Sequence, residues 1–144
     1  MKIFLLYFIL TATFFSCVNK DKSATLNEAA LKDSTNFTTI QWLDSTNKNF
    51  GTIAEGQKLE VAFHFRNSGN KPLVIERVQP SCGCTVAEQP TEPIAPGKEG
   101  NIKAVFDSEN HTGVNHKTLN VYANTKGTQV SELQFAVVVE KKKW

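Results

Sequence analysis

The sequence predicts an all-β fold, and the main observation behind this is a period of two in its apolar residues. In "KLEVAFHFRNSGN", apolar residues alternate with polar or small ones, so that one strand face carries Leu59, Val61, Phe63 and Phe65. Turn signals rich in Gly, Asn, Ser and Pro separate such runs, and no stretch after Phe37 keeps a helical period. Short strands at this spacing over residues 37–144 predict an immunoglobulin-like β-sandwich of about seven strands.

Three further segments carry the same alternation. They are "NIKAVFD", "KTLNVYANT" and "SELQFAVVVE", and their predicted core residues are Ile102, Ala104, Phe106, Leu119, Val121, Ala123, Leu133, Phe135, Val137 and Val139. Shorter candidate strands are "FTTIQWL", "FGTIAEG" and "PLVIERV". The segment "QPTEPIAP" cannot be a central strand because its prolines lack the N–H that a strand donates, so it predicts an extended crossover.

Length and charge restrict the kinds of partner. A chain of 144 residues fits a single domain preceded by a short leader and tether. The formal net charge of +2 is too small to indicate a nucleic-acid partner. The closing Lys141, Lys142 and Lys143 are interpreted as a solvated strand end.

The first residues have the pattern of a lipoprotein signal. "MKIFLLYFILTATFFSC" has a positive charge at Lys2, an apolar run too short for a comfortable membrane span, and then Ser16 and Cys17. This predicts a signal peptide over residues 1–16, lipidation of Cys17 and a polar, flexible tether over residues 17–36. By resemblance to lipoprotein sorting, Val18 favours the outer membrane, with the domain facing the periplasm.

Catalytic motifs are not found in the sequence. It has no Gly-x-Ser-x-Gly, no His-Glu-x-x-His and no phosphate-binding Gly-rich loop before a helix. The sequence therefore predicts a protein that is not an enzyme, with no cofactor, no small-molecule substrate and no catalytic residue. The membrane, reached through lipid on Cys17, and an unidentified protein are the predicted partners.

The stretch "SCGCT" contains Cys82 and Cys84, separated only by Gly83. In a fully extended strand their Cα atoms would be roughly 6.5–7 Å apart, at the upper limit for a disulfide, so a bond requires a bend with Gly83 as the hinge. Four interpretations remain open: a structural pair, a redox pair, a metal-binding pair and an intermolecular disulfide. No basic residue lies within three positions to activate a thiol.

The metal interpretation depends on which ligands are available beside the two cysteines. Two thiolates suit Cu(I), whereas a structural zinc site needs four ligands. His64, His111 and His116 form no ligand spacing with each other or with the cysteines. The sequence therefore predicts no firm metal site.

Residues 50–125 resemble the family called domain of unknown function 1573. The shared features, in order, are "GTI", "EG", "F-x-F-x-N-x-G", "L-x-I", "SCGCT" and "IAPG". That family is similar to the Hydin-type and major-sperm-protein-type immunoglobulin-like folds and often occurs in exported proteins and lipoproteins. The resemblance implies a fold and a location, and it implies no enzymatic activity.

Two functions follow as hypotheses. The first is a non-enzymatic, membrane-anchored periplasmic module of immunoglobulin-like fold that binds protein or envelope partners or has a structural role. The alternative is a thiol redox or Cu(I)-binding protein that acts through Cys82 and Cys84.

Overall fold

The computed structural model describes residues 33–142. The predicted signal peptide over residues 1–16 and the predicted lipid site at Cys17 lie outside the described residues. Of the predicted tether, the last part forms a short 3₁₀ turn, Ser34–Asn36, in which the Asp33 carboxylate accepts the Thr35 N–H. No helix within residues 33–142 has the length and apolar character to cross a bilayer.

Eight strands make up the described part of the chain. They are β1 (Ile40–Trp42), β2 (Asn47–Ala54), β3 (Lys58–Asn67), β4 (Ile75–Pro80), β5 (Thr85–Glu88), β6 (Glu99–Asp107), β7 (Gly113–Ala123) and β8 (Val130–Glu140). One sheet has the order β1-β3-β6-β5 and the other has the order β2-β8-β7-β4. All neighbours are antiparallel except β2 and β8, which are parallel.

The predicted all-β sandwich is confirmed, with one strand more than the approximate number expected. The strand without a predicted counterpart is β5, which pairs with β6. The chain changes sheets after Trp42. β1 pairs with β3 in one sheet, and β2 then pairs with β8 in the other. The β2–β8 register shifts between Asn49 and Thr52, at Gly51, whose φ of +68° favours glycine.

The core lies between the inner faces of the two sheets, as the alternation predicts. Fully or nearly fully buried apolar residues come from five segments, and they are Val61, Phe63, Phe65, Leu73, Ile75, Ile102, Ala104, Phe106, Leu119, Val121, Ala123, Leu133, Phe135, Val137 and Val139. Leu59 is only partly buried and packs on the edge of this cluster. The burial of these side chains is the main force that holds the two sheets together.

Asn67 is a buried polar residue at the end of β3 with no exposed surface. Its Oδ1 accepts hydrogen bonds from Thr38 Oγ1 at 2.8 Å and Gly69 N at 3.1 Å. Its Nδ2 donates to the carbonyl oxygens of Lys71 at 2.7 Å and Ile94 at 2.8 Å. The asparagine of "F-x-F-x-N-x-G" therefore joins the chain before β1, the β3–β4 connection and the β5–β6 connection.

Asn124, which follows β7, has a similar role near the N-terminal end of the domain. Its Nδ2 donates to the carbonyl oxygens of Asn36 at 2.8 Å and Pro72 at 3.0 Å, and its Oδ1 accepts from Val74 N at 2.7 Å. Because the Asn36 carbonyl is held in this way, the end of the predicted tether is attached to the sandwich.

Side chains close parts of the free sheet edges. At the edge of β4, Gln89 accepts from Val78 N and donates to the Glu76 carbonyl, each at 2.8 Å, as a neighbouring strand would. At the edge of β3, Asp44 accepts from His64 N and Lys48 donates to the Ala62 carbonyl. Unpaired edges promote association between sheets, so these contacts limit strand addition at both places.

The predicted proline crossover joins β5 to β6. Its three prolines lie outside the strands, as expected, and Ile94 forms an isolated antiparallel bridge with Leu73. The backbone hydrogen bonds of this bridge hold the crossover beside the start of β4.

Candidate functional site

The two cysteines lie in the tight connection between β4 and β5. Cys82 and Cys84 are joined by a disulfide, and their Cα atoms are 5.3 Å apart. This separation is shorter than the extended-strand distance, so the chain bends at Gly83. The bend is a turn in which Thr85 N donates to the Cys82 carbonyl at 3.3 Å.

Gly83 makes this bend without a backbone conformation that requires glycine. Its φ lies outside the left-handed region, and a Cβ added to it would have no neighbouring atom within 4 Å. The bend at the predicted hinge is present, but the conformational freedom of glycine is not what produces it.

The turn is held on both sides by hydrogen bonds that do not involve sulfur. On one side, Ser81 N donates to the Thr118 carbonyl at 2.9 Å, and Thr118 N donates to Ser81 Oγ at 3.2 Å. On the other side, Asp107 N donates to the Cys84 carbonyl at 2.9 Å. The turn is therefore fixed to β7 in one sheet and to β6 in the other.

One hydroxyl group lies beside both sulfur atoms. Thr85 Oγ1 is 3.7 Å from Cys82 Sγ and 4.0 Å from Cys84 Sγ. Thr85 is 4% exposed, so water has little access to this hydroxyl. Within residues 33–142, the hydrogen-bond partners that the structure shows for it are these two sulfurs.

The fold also brings a lysine to this end of the sandwich. Thr85 is paired in register with Phe106, and Lys117 Nζ lies 5.0 Å from the centroid of the Phe106 ring. Burial lowers the pKa of the Lys117 ammonium group below its usual value. Lys117 is remote from the cysteines in sequence, and the antiparallel contact between Thr118 and Ser81 is what brings its strand to them.

A second feature is the outer face of the sheet formed by β3, β6 and β5. Val86 is 65% exposed, and its register partner on β6 is Val105. The side chain of Ala62 lies on the same face, since it alternates with the buried Val61 and Phe63. Together they form part of a shallow groove lined by Glu60, Ala62, Val86, Glu88, Lys103 and Val105.

Sequence comparison identifies the family. The model of the family described as "Protein of unknown function (DUF1573)" matches residues 40–139, which include all eight strands except the last residue of β8. The chain belongs to the DUF1573 family. No curated protein matches it in sequence.

Solved structures similar to this DUF1573 domain show the fold class. A protein of unknown function from Porphyromonas gingivalis W83 has a TM-score of 0.64 at 15% identity, over 74% of this chain and 49% of that one. The ASH/PapD-like domain 7 of human CEP192 has a TM-score of 0.54 at 10% identity, over 99% of both chains. The YadV chaperone has a TM-score of 0.50 at 17% identity, over 74% of this chain and 53% of that one.

These similarities confirm the predicted immunoglobulin-like sandwich. At such low identities they show the fold alone. This chain spans about half the length of the Porphyromonas protein and of the YadV chaperone.

Within residues 33–142, no histidine of the DUF1573 domain makes a hydrogen bond or ion pair with Cys82 or Cys84. His64 is on the exposed face of β3, and its Nδ1 is 2.8 Å from Asp44 Oδ2. Hydrogen bonds from Lys48 and from the backbone and ring of His64 hold the pKa of the Asp44 carboxyl well below its usual range. His111 packs edge-on against Phe106 with ring centroids 5.7 Å apart, and His116 is exposed on β7.

Metal binding has little geometric support in the described domain. Between residues 33 and 142, no group of three or more His, Cys, Asp or Glu side chains converges on one point. In the disulfide neither cysteine is a thiolate, and thiolate is the form that ligates a soft metal such as Cu(I). A Cu(I) site at Cys82 and Cys84 therefore needs prior reduction of the pair.

Sequence reasoning missed one residue of the disulfide turn, Thr85, and one residue of the neighbouring strand β7, Lys117. Thr85 belongs to "SCGCT", but the position of its hydroxyl beside both sulfurs depends on the turn, and a residue next to a cysteine need not contact it. Lys117 could not be identified, because only the pairing of β4 with β7 brings its strand beside the turn. Apolar alternation does not show which strand pairs with β4, so the sequence held no signal for this lysine.

Proposed function

We propose that this DUF1573 domain is a non-enzymatic binding module of the cell envelope. In this proposal, lipid on Cys17 anchors the chain to the outer membrane on its periplasmic side. The sandwich then contacts a protein partner through the outer face of β3, β6 and β5. The observation that carries the proposal is the apolar patch formed there by Ala62, Val86 and Val105.

The patch has the composition of a small interface. A single exposed valine is ordinary on a protein surface, but here Val86 and Val105 are cross-strand neighbours and Ala62 adjoins them. Charged residues surround them, namely Glu60, Glu88 and Lys103. An apolar centre inside a charged rim is typical of surfaces that bind proteins.

The patch is not needed for the core of the sandwich. Each strand of this sheet already buries its other face, through Phe63 on β3 and Phe106 on β6, for example. A polar residue at Val86 would leave those contacts in place. Apolar surface that does not contribute to folding is therefore available for a partner.

The contacts at the strand edges decide where a partner can dock. The YadV chaperone and the PapD-like domain of CEP192 resemble this chain as sandwiches, which is consistent with a binding module. Gln89 closes part of the β4 edge, and Asp44 and Lys48 close part of the β3 edge. We therefore expect the partner to dock on the face of the sheet rather than add a strand at either of these places.

The test is site-specific photo-crosslinking in intact cells, followed by identification of the crosslinked proteins. A photoreactive residue at Val86 should give a discrete crosslinked product that Val105→Asp abolishes. Val114 is the matched control, because it is 69% exposed on β7 in the other sheet. Identical products from both positions, or no product from Val86, would contradict the proposal.

The anchoring part of the proposal has its own readout. Replacement of Cys17 by Ala should release the protein from the membrane fraction of fractionated cells. If the wild-type chain is recovered in the soluble fraction, the anchoring part is wrong, while the binding face can still be tested.

A further inference from the structure

We propose that the Cys82–Cys84 disulfide is a working thiol–disulfide exchange site that accepts electrons from a protein dithiol, and that the Thr85 hydroxyl stabilises the thiolate formed. This role is separate from the binding function and does not depend on it. It rests on the hydrogen bonds around the turn, the burial of Thr85 and the access to the two sulfurs.

The disulfide contributes little to holding the fold together. It joins residues only two positions apart, so it closes a very small loop and restricts the unfolded chain less than a long-range disulfide does. The turn is already fixed by the Ser81–Thr118 and Asp107–Cys84 hydrogen bonds. A bond with so little structural effect is free to open and close without unfolding the sandwich.

The environment of Thr85 suits the reduced state better than the oxidised one. Disulfide sulfur is a weak hydrogen-bond acceptor, whereas a thiolate is charged and accepts a strong, charge-assisted bond. The buried Thr85 hydroxyl lies beside the disulfide, with Oγ1 3.7 Å from Cys82 Sγ and 4.0 Å from Cys84 Sγ. Reduction therefore gives this hydroxyl a better partner, whichever of the two sulfurs becomes the thiolate.

Access to the two sulfurs is unequal. Cys84 packs against the core cluster, whereas Cys82 does not belong to it. Gly83 between them is exposed and has open space around it. An incoming thiolate is therefore expected to attack Cys82 Sγ.

The exchange takes place in two steps that balance. In the first step, a thiolate of the partner dithiol attacks Cys82 Sγ and forms a mixed disulfide with it. The Cys82–Cys84 bond breaks at the same time, and its electron pair leaves on Cys84 Sγ, which becomes a thiolate. The second thiol of the partner, as its thiolate, then attacks the partner sulfur of the mixed disulfide and releases Cys82 as a thiolate. The protons lost by the partner thiols pass to solvent or to the released cysteines. The partner ends as a disulfide, oxidised by two electrons, and Cys82 and Cys84 end reduced.

The hydroxyl determines the direction of exchange. A group that stabilises the thiolate stabilises the reduced form, and a pair with a stabilised reduced form is the more oxidising one. The Thr85 hydroxyl makes its stronger hydrogen bond in the reduced state, to a thiolate. The pair is therefore predicted to be an oxidant of other protein dithiols.

The experiment measures the thiol–disulfide equilibrium of the full chain. A Cys17→Ser background leaves Cys82 and Cys84 as the only cysteines. The protein is equilibrated at neutral pH in buffers of reduced and oxidised glutathione, its free thiols are alkylated, and the reduced fraction is read by mass spectrometry. Thr85→Val removes the hydroxyl and keeps the shape of the side chain, and Thr85→Ser keeps the hydroxyl.

We expect the wild-type pair to be reduced within the range of the glutathione buffers. Thr85→Val should require a glutathione ratio about tenfold more reducing, because a hydrogen bond to a charged group is lost. Thr85→Ser should remain within about twofold of the wild type if it keeps that bond. If Thr85→Val and Thr85→Ser are half reduced at the same glutathione ratio, the role of the hydroxyl is overturned. If glutathione does not reduce the Cys82–Cys84 disulfide at any ratio, the exchange site is overturned.

A second measurement does not depend on the folding of the Thr85 variants. With Cys84→Ser, the remaining Cys82 thiol should form a mixed disulfide with an oxidised dithiol peptide faster than Cys84 does in Cys82→Ser. The reverse order would show that Cys84 is the attacked sulfur and would contradict the assignment made from access.

Discussion

At Asn67, one side-chain amide satisfies four polar groups from three separate parts of the chain. It accepts from Thr38 and Gly69 and donates to Lys71 and Ile94, in a position without solvent access. Each of these groups would need another partner if the amide were removed, and a buried polar group without a partner is costly. The buried polar side chain of Asn67 thus stabilises the connections around the apolar core.

Replacement of Asn67 by Ala is expected to destabilise the domain by about 3 kcal/mol, because four polar groups, of which the Thr38 hydroxyl belongs to a buried residue, lose their partner at once. The measurement is urea unfolding followed by fluorescence. Asn101→Ala is the control, since no side-chain hydrogen bond of Asn101 is seen among residues 33–142, and it should change the free energy of unfolding by less than about 1 kcal/mol. Equal effects from the two variants would refute the role given to Asn67.

At the level of strands, the sandwich depends on how closely the segment before β1 passes the β3–β4 connection. A Cβ on Gly69 would collide with Thr38 Oγ1 and lie 2.6 Å from the backbone N of Thr39. The same connection supplies Ser68 N, which donates to the Thr39 carbonyl at 2.9 Å. The last glycine of "F-x-F-x-N-x-G" is therefore required for close approach of two backbones and not for an unusual φ.

Gly69→Ala is expected to cost about 2–3 kcal/mol of folding free energy, since backbone atoms must move to admit the methyl group. Gly83→Ala makes the same chemical change in open space, at an ordinary φ, and should change stability by less than about 1 kcal/mol. Thermal unfolding of both variants compares them directly. A larger loss of stability in Gly83→Ala than in Gly69→Ala would show that the close approach of the two backbones does not require glycine at position 69.

At the scale of the whole sandwich, the two sheets are held together by apolar packing, and the Cys82–Cys84 disulfide does not join them. The core is continuous from Val61 on β3 to Val139 on β8, whereas the disulfide lies within a single turn. Many immunoglobulin domains have a disulfide between sheets. In this domain the sheets are held together instead by packing of apolar side chains, mainly phenylalanine, leucine, isoleucine and valine.

The double variant Cys82→Ser, Cys84→Ser should keep the fold and lose at most about 1.5 kcal/mol, the value that chain entropy gives for so short a loop. Circular dichroism should show an unchanged β spectrum, and denaturant unfolding should stay cooperative. A variant that fails to fold would mean that the disulfide is structural and would also weaken the exchange proposal.

The alternation of apolar residues was enough to predict which faces are buried. Phe63, Phe106 and Phe135 are each in a segment with period two, and each is fully buried. The sheet order was not predictable in this way, because alternation shows that a strand has a buried face but not which strand it pairs with. "FTTIQWL" and "FGTIAEG" were predicted as separate strands, but their membership of different sheets was not. The strand β5 was missed because its four residues are too few to show a clear alternation.

The sequence by itself determined the fold class, the family and the buried faces of this protein, because those depend on local periodicity and on motifs within continuous segments. It also showed that two cysteines are close along the chain. Only the tertiary structure decided what lies next to them: the turn that joins their sulfurs, the hydroxyl of Thr85 beside both sulfurs and the β7 backbone at Thr118, which holds Ser81. Those contacts depend on strand pairing over long separations, and the free energy that fixes the pairing comes from the packing of both sheets together and not from any one segment.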